Sequence, residues 1–439
     1  MAYSFAKHGR KVMRRLVLLA AFCGLLGSSA QATQRVIVQS TLGQTLLNTT
    51  CLLLGCNVLE SLGDPTGQLF LLGLPDAANL TNVIQTLLST TGIVHAEVDS
   101  VASVLQSTPP IPQSLYQNTP VSYYGTTVWQ GYVTQPANQI LGIATAQSTY
   151  NVSGTGVVAV IDTGVDPGQP VLDPVLIPGY DFTRNTPGGS ELPDVNVSAP
   201  PAATIPGSWV NSDAFATVTD SSAWVIDPTD PQTAAFGHGT MVSGVVHLVA
   251  PGAFIMPLKA FQATGNGYTS DIIRAIYWAV LHNARVINMS FSAPQSSFAV
   301  GLALGYATGE GVICVAAAGN NSSSTPSYPA AYSNVIGVAS TDNNDVLSTF
   351  SNFGSWVWLA APGEGIVTTY PFGLYAAGWG TSFSAPFVSG TVGLLFQLDS
   401  GLVQTQAANA VSNAKPAGSG VGHGRLEINQ ALQSISSSQ

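Results

Sequence analysis

The sequence predicts an α/β protein, a mainly parallel sheet covered by helices on both faces, with a smaller α/β unit ahead of it. Three observations carry this. From about residue 137 onward, apolar runs of strand length alternate with helical stretches, the pattern of βαβ units. Those strands are apolar throughout rather than every second residue, as strands buried on both faces are. The 439 residues are 46% hydrophobic and only 8% charged, whereas a typical soluble domain carries about 25% charge. Such a chain can fill a core, which argues against disorder, and it lacks the charges that a soluble coiled coil places beside its seam.

The elements follow in order. Lys7, Arg10, Lys11, Arg14 and Arg15 form a basic start, Leu16 to Leu26 an apolar run, and Ala30-Gln31-Ala32 a small-residue cleavage site. This three-part pattern predicts an export signal over 1–32, too short in its apolar part for a membrane anchor. Residues 33–106 read as a small α/β unit. Arg35 to Gln39 and Gln68 to Leu72 are strands, Asn79 to Ser89 is a helix with Leu80, Val83, Ile84 and Leu87 on one face, and Ile93 to Val104 is further strand. Cys51 and Cys56 either pair or remain two packed thiols. Residues 107–136, rich in Pro, Gln, Tyr, Ser and Thr, read as an exposed linker or N-terminal arm.

The longer unit, 137–435, holds the strand Gly156 to Ile161. Ser270 is expected to cap a helix over Asp271 to Asn283 that turns Ile272, Ile273, Ile276 and Val280 inward. Strands follow at Val286 to Ser290, Val312 to Ala317 and Val335 to Ala339. Ligands of such sheets bind beyond the C-terminal strand ends.

Charge narrows the function. Five of the 12 basic residues lie in the first fifteen positions, so removal of the signal leaves seven against 22 acids, a net charge of −15. That excludes a nucleic-acid binder, which needs basic patches for phosphates.

Three motifs place polar groups where the sheet exposes them: Val160-Ile161-Asp162-Thr163-Gly164 at a strand end, Gly237-His238-Gly239-Thr240 opening an apolar helix, and Gly380-Thr381-Ser382-Phe383-Ser384-Ala385-Pro386 turning into another. A serine hydroxyl becomes a nucleophile when a base takes its proton. His238 is the candidate base, because imidazole titrates near neutrality, and Asp162 would hold its tautomer. Pro386 suits the first turn of the last helix.

In these motifs the chain resembles the subtilisin-like serine proteases, the subtilases, over essentially all of 137–435. The order Asp, His, Ser is that family's order. Val249 to Ala253, Asn288 to Phe291 and Gly422 to Leu432 are similar to further family stretches. The resemblance implies a subtilisin-like three-layer α/β/α fold and an Asp162, His238, Ser382 triad. It also implies an oxyanion hole from Asn320 and the Ser382 backbone N–H, with Ser290, Phe291, Ala316, Ala317 and Gly319 lining the first substrate pocket. No acid stands among those five, so an apolar or broad preference is expected. Protein or peptide substrates are implied as partners, with no cofactor for the chemistry and no nucleic acid or membrane anchor. Residues 33–106 resemble the family's inhibitory propeptide, ferredoxin-like in fold, with Val94 to Asp99 as its last strand. Self-cleavage would then fall between about 106 and 136 and release a secreted enzyme.

Family members often bind calcium, so structural calcium is a further expectation. The long excursion Pro178 to Pro231 between the Asp and His motifs holds Asp181, Asp194, Asp213, Asp220, Asp227 and Asp230, and reads as a surface loop or a cation site. His95, His247, His282 and His423 read as structural, and Cys314 as core. Two rival functions stand beside the protease. A sedolisin would use a Glu base and an Asp in the oxyanion hole, where this chain has His238 and Asn320. A non-enzymatic exported binding protein would not need the intact set.

Overall fold

The computed structural model describes residues 34–102, 112–195, 209–211, 215–218 and 232–437. The export signal expected over 1–32, and Asp213, Asp220, Asp227 and Asp230, lie outside the described residues. Contacts divide the chain into two units, one of residues up to 61 together with 70–98, the other of 62–69 and everything from 99 onward.

The first unit runs β1 (Gln34–Ser40), α1 (Gly43–Leu54), β2 (Asn57–Ser61), β3 (Leu69–Leu74), α2 (Leu80–Leu88), β4 (Ile93–Val98). Its four strands lie in the order β2-β3-β1-β4, which is the ferredoxin-like βαββαβ arrangement. The Asn79 side chain accepts from Asn82 N at 3.1 Å and starts α2, which buries Val83 and Leu87. Helix α1 was not legible in sequence, because Thr45, Thr49 and Thr50 blur its apolar face. Cys51 and Cys56 form a disulfide, which decides between the two alternatives for them.

In the second unit, residues 112–136 are not an exposed linker. They form an arm: the hairpin β6 (Pro120–Tyr123) and β7 (Thr126–Trp129), then α3 (Gln130–Thr134). Leu115, Val128 and Tyr132 are buried in the main core. The Tyr132 hydroxyl donates to Gly244 O at 2.6 Å, and Gln135 brackets the Val367 backbone at 2.7 and 2.8 Å. Composition left an exposed linker and an arm both open; burial of three large apolar side chains decides against the exposed linker. Helices α4 (Pro136–Leu141) and α5 (Ile143–Tyr150) lead into the sheet.

That sheet holds β8 (Val157–Asp162), β9 (Gly179–Asp181), β10 (Thr186–Gly188), β13 (Phe254–Lys259), β15 (Val286–Met289), β16 (Ile313–Ala317), β17 (Ile336–Thr341) and β18 (Leu359–Pro362), in the order β10-β9-β13-β8-β15-β16-β17-β18. All neighbours are parallel except β10 with β9. Helices α6 (His238–Val249) and α9 (Thr381–Leu398) pack together on one face, while α7 (Thr269–Leu281) and α8 (Phe298–Gly309) pack together against strands of the same sheet. A second sheet joins β11 (Trp209–Asn211), β12 (Phe215–Val218), β20 (Leu374–Trp379) and β19 (Ile366–Tyr370) in that order. Helices α10 (Gln404–Val411) and α11 (Ile428–Ser436) close the chain. Among the described residues, no helix is long and apolar enough to cross a membrane.

Two expectations need correction. Ser270 does not cap α7. It lies inside the first turn, and Asp99 does the capping, accepting from Ser270 N and Oγ at 3.0 Å each. Residues 101–102 then form a short strand, β5, antiparallel to β14 (Gly267–Tyr268). Val280 is only half-buried on α7, whereas Ile272, Ile273 and Ile276 are buried.

Candidate active site

The chain leaves β8 toward β13 on one side and later adds β15 on the other. The C-terminal end of β8 is therefore a topological switch point, where open α/β sheets form clefts. Asp162 is its last residue. Gly237, at φ 89°, turns the chain so that His238 is the first residue of α6. His238 Nδ1 lies 2.6 Å from Asp162 Oδ1, which also accepts from Thr163 N at 2.7 Å. With its proton on Nδ1, the ring presents Nε2 as an acceptor. Both side chains are buried, and His238 Nε2 and Asp162 Oδ2 have no hydrogen-bond partner among the described residues. The Phe383 ring stands edge-on to the imidazole at 5.8 Å.

Gly380, at φ 141°, leads into α9, and Ser382 is the second residue of that helix. Its hydroxyl donates to Ser290 O at 3.0 Å rather than to His238. Pro386 lies beyond the first turn, within α9. Lacking an N–H, it leaves the Ser382 carbonyl without its helical donor, and the Ser290 hydroxyl supplies one at 2.8 Å. Ser290 is fixed in turn by Asn288 Nδ2 at 2.9 Å, and Asn288 by Ser389 at 2.8 Å. The Ser382 N–H lies in the first turn of the helix, where amides have no intrahelical acceptor and the helix dipole favours negative charge.

Asn320 follows Gly319, whose φ is 97°. Its Oδ1 accepts from Thr381 N at 2.8 Å and Thr381 Oγ1 at 2.9 Å, and Thr381 Oγ1 accepts from Gly319 N at 3.0 Å. The amide oxygen is thus anchored beside Ser382. Ala316 and Ala317 end β16, and Ser290 and Phe291 follow β15. Phe291 is buried against Phe261, with ring centroids 4.8 Å apart. It borders a cavity shared with Thr269, Ile272, Val300, Tyr328 and Tyr332, which Ala316, Ala317 and Gly319 do not line.

The excursion after β8 is not simply a surface loop. Glu191 is fully buried, with Gly237 N at 2.7 Å and Thr163 Oγ1 at 3.2 Å donating to Oε2, and Thr240 Oγ1 bonded to Oε1. Burial pushes its carboxyl up to about 8, against hydrogen bonds from Thr240 and Gly237 and the charge of Lys259; the charge of Asp162 adds to the rise. It makes no bond to Ser382. Asp194 pairs with the buried Lys259 at 2.7 Å and with Arg184, and accepts from Ala263 N at 2.6 Å. Asp181 accepts from Thr183 and from Arg184 at 3.0 Å. These two acids are therefore satisfied by protein donors and do not fit a calcium site. No group of three His, Cys, Asp or Glu side chains among the described residues forms one. Sequence reasoning missed Glu191, Lys259 and the role of Thr381. Glu191 carries no sequence signal, since it stands in a Pro- and Ser-rich stretch.

Of the remaining candidates, His247 is buried and held down to about 4 by that burial, and Cys314 is buried with its thiol pushed up to about 12. His282 stacks on Trp278 at 4.0 Å, and His423 packs near Trp358 at 4.8 Å. His95 lies 3.3 Å from Glu97.

Residues 154–427 match the model of the subtilase family. The chain is 33% identical over 318 residues to the thermophilic serine proteinase of Bacillus sp. (strain AK1), covering 70% of this chain and 68% of that one. It is 33% identical over 288 residues to thermitase of Thermoactinomyces vulgaris, covering 63% and 88%. Among solved structures, fervidolysin from Fervidobacterium pennivorans, a keratinolytic enzyme related to subtilisin, superposes with a TM-score of 0.68 at 23% identity. That match covers 92% of this chain, which spans 62% of the fervidolysin chain. A cold adapted subtilisin-like serine proteinase superposes with a TM-score of 0.50 at 27% identity, covering 63% of this chain and 90% of that one.

Proposed function

The chain belongs to the subtilase family of serine peptidases, and on that premise we propose that it is a secreted endopeptidase, made as a zymogen, that cuts peptide bonds through Asp162, His238 and Ser382. The observation that carries this reading is the 2.6 Å Asp162–His238 bond at the sheet's switch point, with Ser382 at the start of α9. Ser382 turns about its Cα–Cβ bond, leaves Ser290 O and gives its proton to His238 Nε2 as Oγ attacks the carbonyl carbon. The resulting oxyanion is met by the Ser382 N–H and the Asn320 amide. His238 passes the proton to the leaving amine, and water repeats the sequence on the acyl-enzyme. Asp162 stabilises the imidazolium in both halves.

Ser290, Phe291, Ala316, Ala317 and Gly319 are proposed to contact the substrate, and with no acid among them the enzyme takes apolar or varied side chains. Calcium has no part in these steps.

The ferredoxin-like unit ahead of the protease supports a propeptide reading, and the export signal read over 1–32 supports secretion. Asp99 and the strand 101–102, held on α7 and β14, are where the propeptide's end would lie. Burial of Leu115, Val128 and Tyr132 in the core supports a maturation cut in the early part of the 106–136 range, upstream of the arm. A sedolisin mechanism is disfavoured, because Glu191 is engaged by Thr163, Gly237 and Thr240 and not by the serine. The test is labelling with a fluorophosphonate and the variant Ser382→Ala. Expected are labelling of Ser382 in the unsubstituted enzyme, and loss of both peptide hydrolysis and propeptide release in the variant. Retained turnover by Ser382→Ala would sink the proposal.

A further inference from the structure

Beside the Asp162–His238 pair lies a carboxyl group for which the steps above have no use. Glu191 comes from the excursion between the two motifs and is fully buried. Thr163 Oγ1 accepts from Gly239 N at 2.9 Å, and Thr240 Oγ1 accepts from Asp166 N at 2.8 Å. Both hydroxyls then bond the Glu191 carboxyl, which also receives Gly237 N. One carboxyl thus ties the residue after Asp162 to residues on both sides of His238. The two loops meet so closely that a Cβ on Gly239 would stand 2.0 Å from Gly164 O.

Among the described residues, no cation donates to this carboxyl. Lys259 is near, but its three ammonium protons go to Thr163 O at 2.7 Å, Asp194 at 2.7 Å and Phe261 O at 2.6 Å. Asp194 is its counter-ion. The titratable and charged groups around Glu191 are Asp162 at the end of β8, Asp166 beyond it, His238 on α6, Lys259 on β13 and Tyr370 on β19.

We propose that Glu191 is a positioning residue for the Asp162–His238 pair, its carboxyl accepting from Thr163, Gly237 and Thr240 and so holding their two loops together. The proposal deepens the triad reading and rests on it. The Thr240 hydroxyl donates to Oε1, and Oε2 accepts from Gly237 N and the Thr163 hydroxyl.

The test uses the mature enzyme and its Glu191→Ala and Glu191→Gln variants, with kcat and KM measured on a peptide p-nitroanilide from pH 5 to 9 and active sites counted with a fluorophosphonate. Glu191→Ala is expected to lower kcat on the order of 10²-fold with little change in KM, as misplaced catalytic groups do. Glu191→Gln keeps the size and one acceptor oxygen, and is expected to recover most of that loss. Unsubstituted kcat in Glu191→Ala, or Glu191→Gln as slow as Glu191→Ala, overturns the proposal. If Glu191→Ala does not fold by circular dichroism, Thr240→Val, which removes one of the carboxyl's three donors, takes its place, and an unsubstituted kcat there overturns the proposal. Failure of the triad reading looks different: the unsubstituted enzyme itself is then not labelled.

Discussion

Thr381→Ala isolates what orients the oxyanion hole. The Thr381 hydroxyl makes two bonds, accepting from Gly319 N at 3.0 Å and donating to Asn320 Oδ1 at 2.9 Å, while the Thr381 N–H holds the same Oδ1 at 2.8 Å. The substitution removes one of two anchors on the amide and leaves the buried Gly319 N–H without that acceptor. A single hydrogen bond contributes about 0.5–1.5 kcal/mol net, and about 1.4 kcal/mol is tenfold in rate. A loss of roughly tenfold in kcat is therefore expected. Asn320→Ala sets the ceiling, since losing a whole oxyanion donor costs about 10²–10³ in kcat. Thr381→Ser, which keeps the hydroxyl, should stay well above Thr381→Ala. The assay is steady-state hydrolysis of a peptide p-nitroanilide, corrected for active sites by fluorophosphonate titration. Because the interaction serves the transition state, the loss belongs in kcat and not in KM. Thr381→Ala within twofold of the unsubstituted kcat, with Asn320→Ala strongly impaired, would refute the anchoring argument. So would a loss confined to KM.

Three other expectations concern stability and specificity. His247 stays neutral in the folded chain down to about pH 4 but takes a proton near its ordinary 6.5 when unfolded. The unfolded state binds more protons in that window, so this contribution is whole above about pH 6.5 and drains away as pH falls to about 4, by roughly 3 kcal/mol. Denaturant melts of the enzyme and His247→Leu at pH 7 and pH 4.5 check this, and equal pH dependence in the two would count against it. Tyr132→Ala empties a fully buried site in the arm and is expected to cost about 3–5 kcal/mol, read from the urea midpoint; a shift under about 1 kcal/mol would return the arm to the status of a loose linker. A peptide library should show cleavage after apolar or varied residues, and strict cleavage after Lys or Arg would refute the assignment of the five lining residues.

The parallel sheet and the three motifs were legible because they are local. A strand buried on both faces is apolar along its whole length, as Val157 to Ile161 is, and Asp162 ends it within the same few residues. Gly237 and Gly380 mark the turns before His238 and Ser382 in the chain itself. Composition left a linker and an arm both open for 107–136; only contacts with distant residues such as Gly244 and Val367 show Leu115 and Tyr132 to be core. Asp99 as the cap of α7 was hidden for the same reason, since it lies 171 positions from Ser270.

The sequence by itself determined the chemistry on offer: a carboxylate, an imidazole and a hydroxyl, each at the edge of its own element and in one order. The tertiary structure decided which groups meet. It brought Asp162 to His238 across 76 positions and turned the Asn320 oxygen to Thr381. It also carried Glu191 from a loop-like stretch into the core between the two motif loops. Pairings of this kind depend on the order of strands in the sheet and on which buried polar atoms still need a partner. Both are set by the packing of the whole domain rather than by any window of the chain.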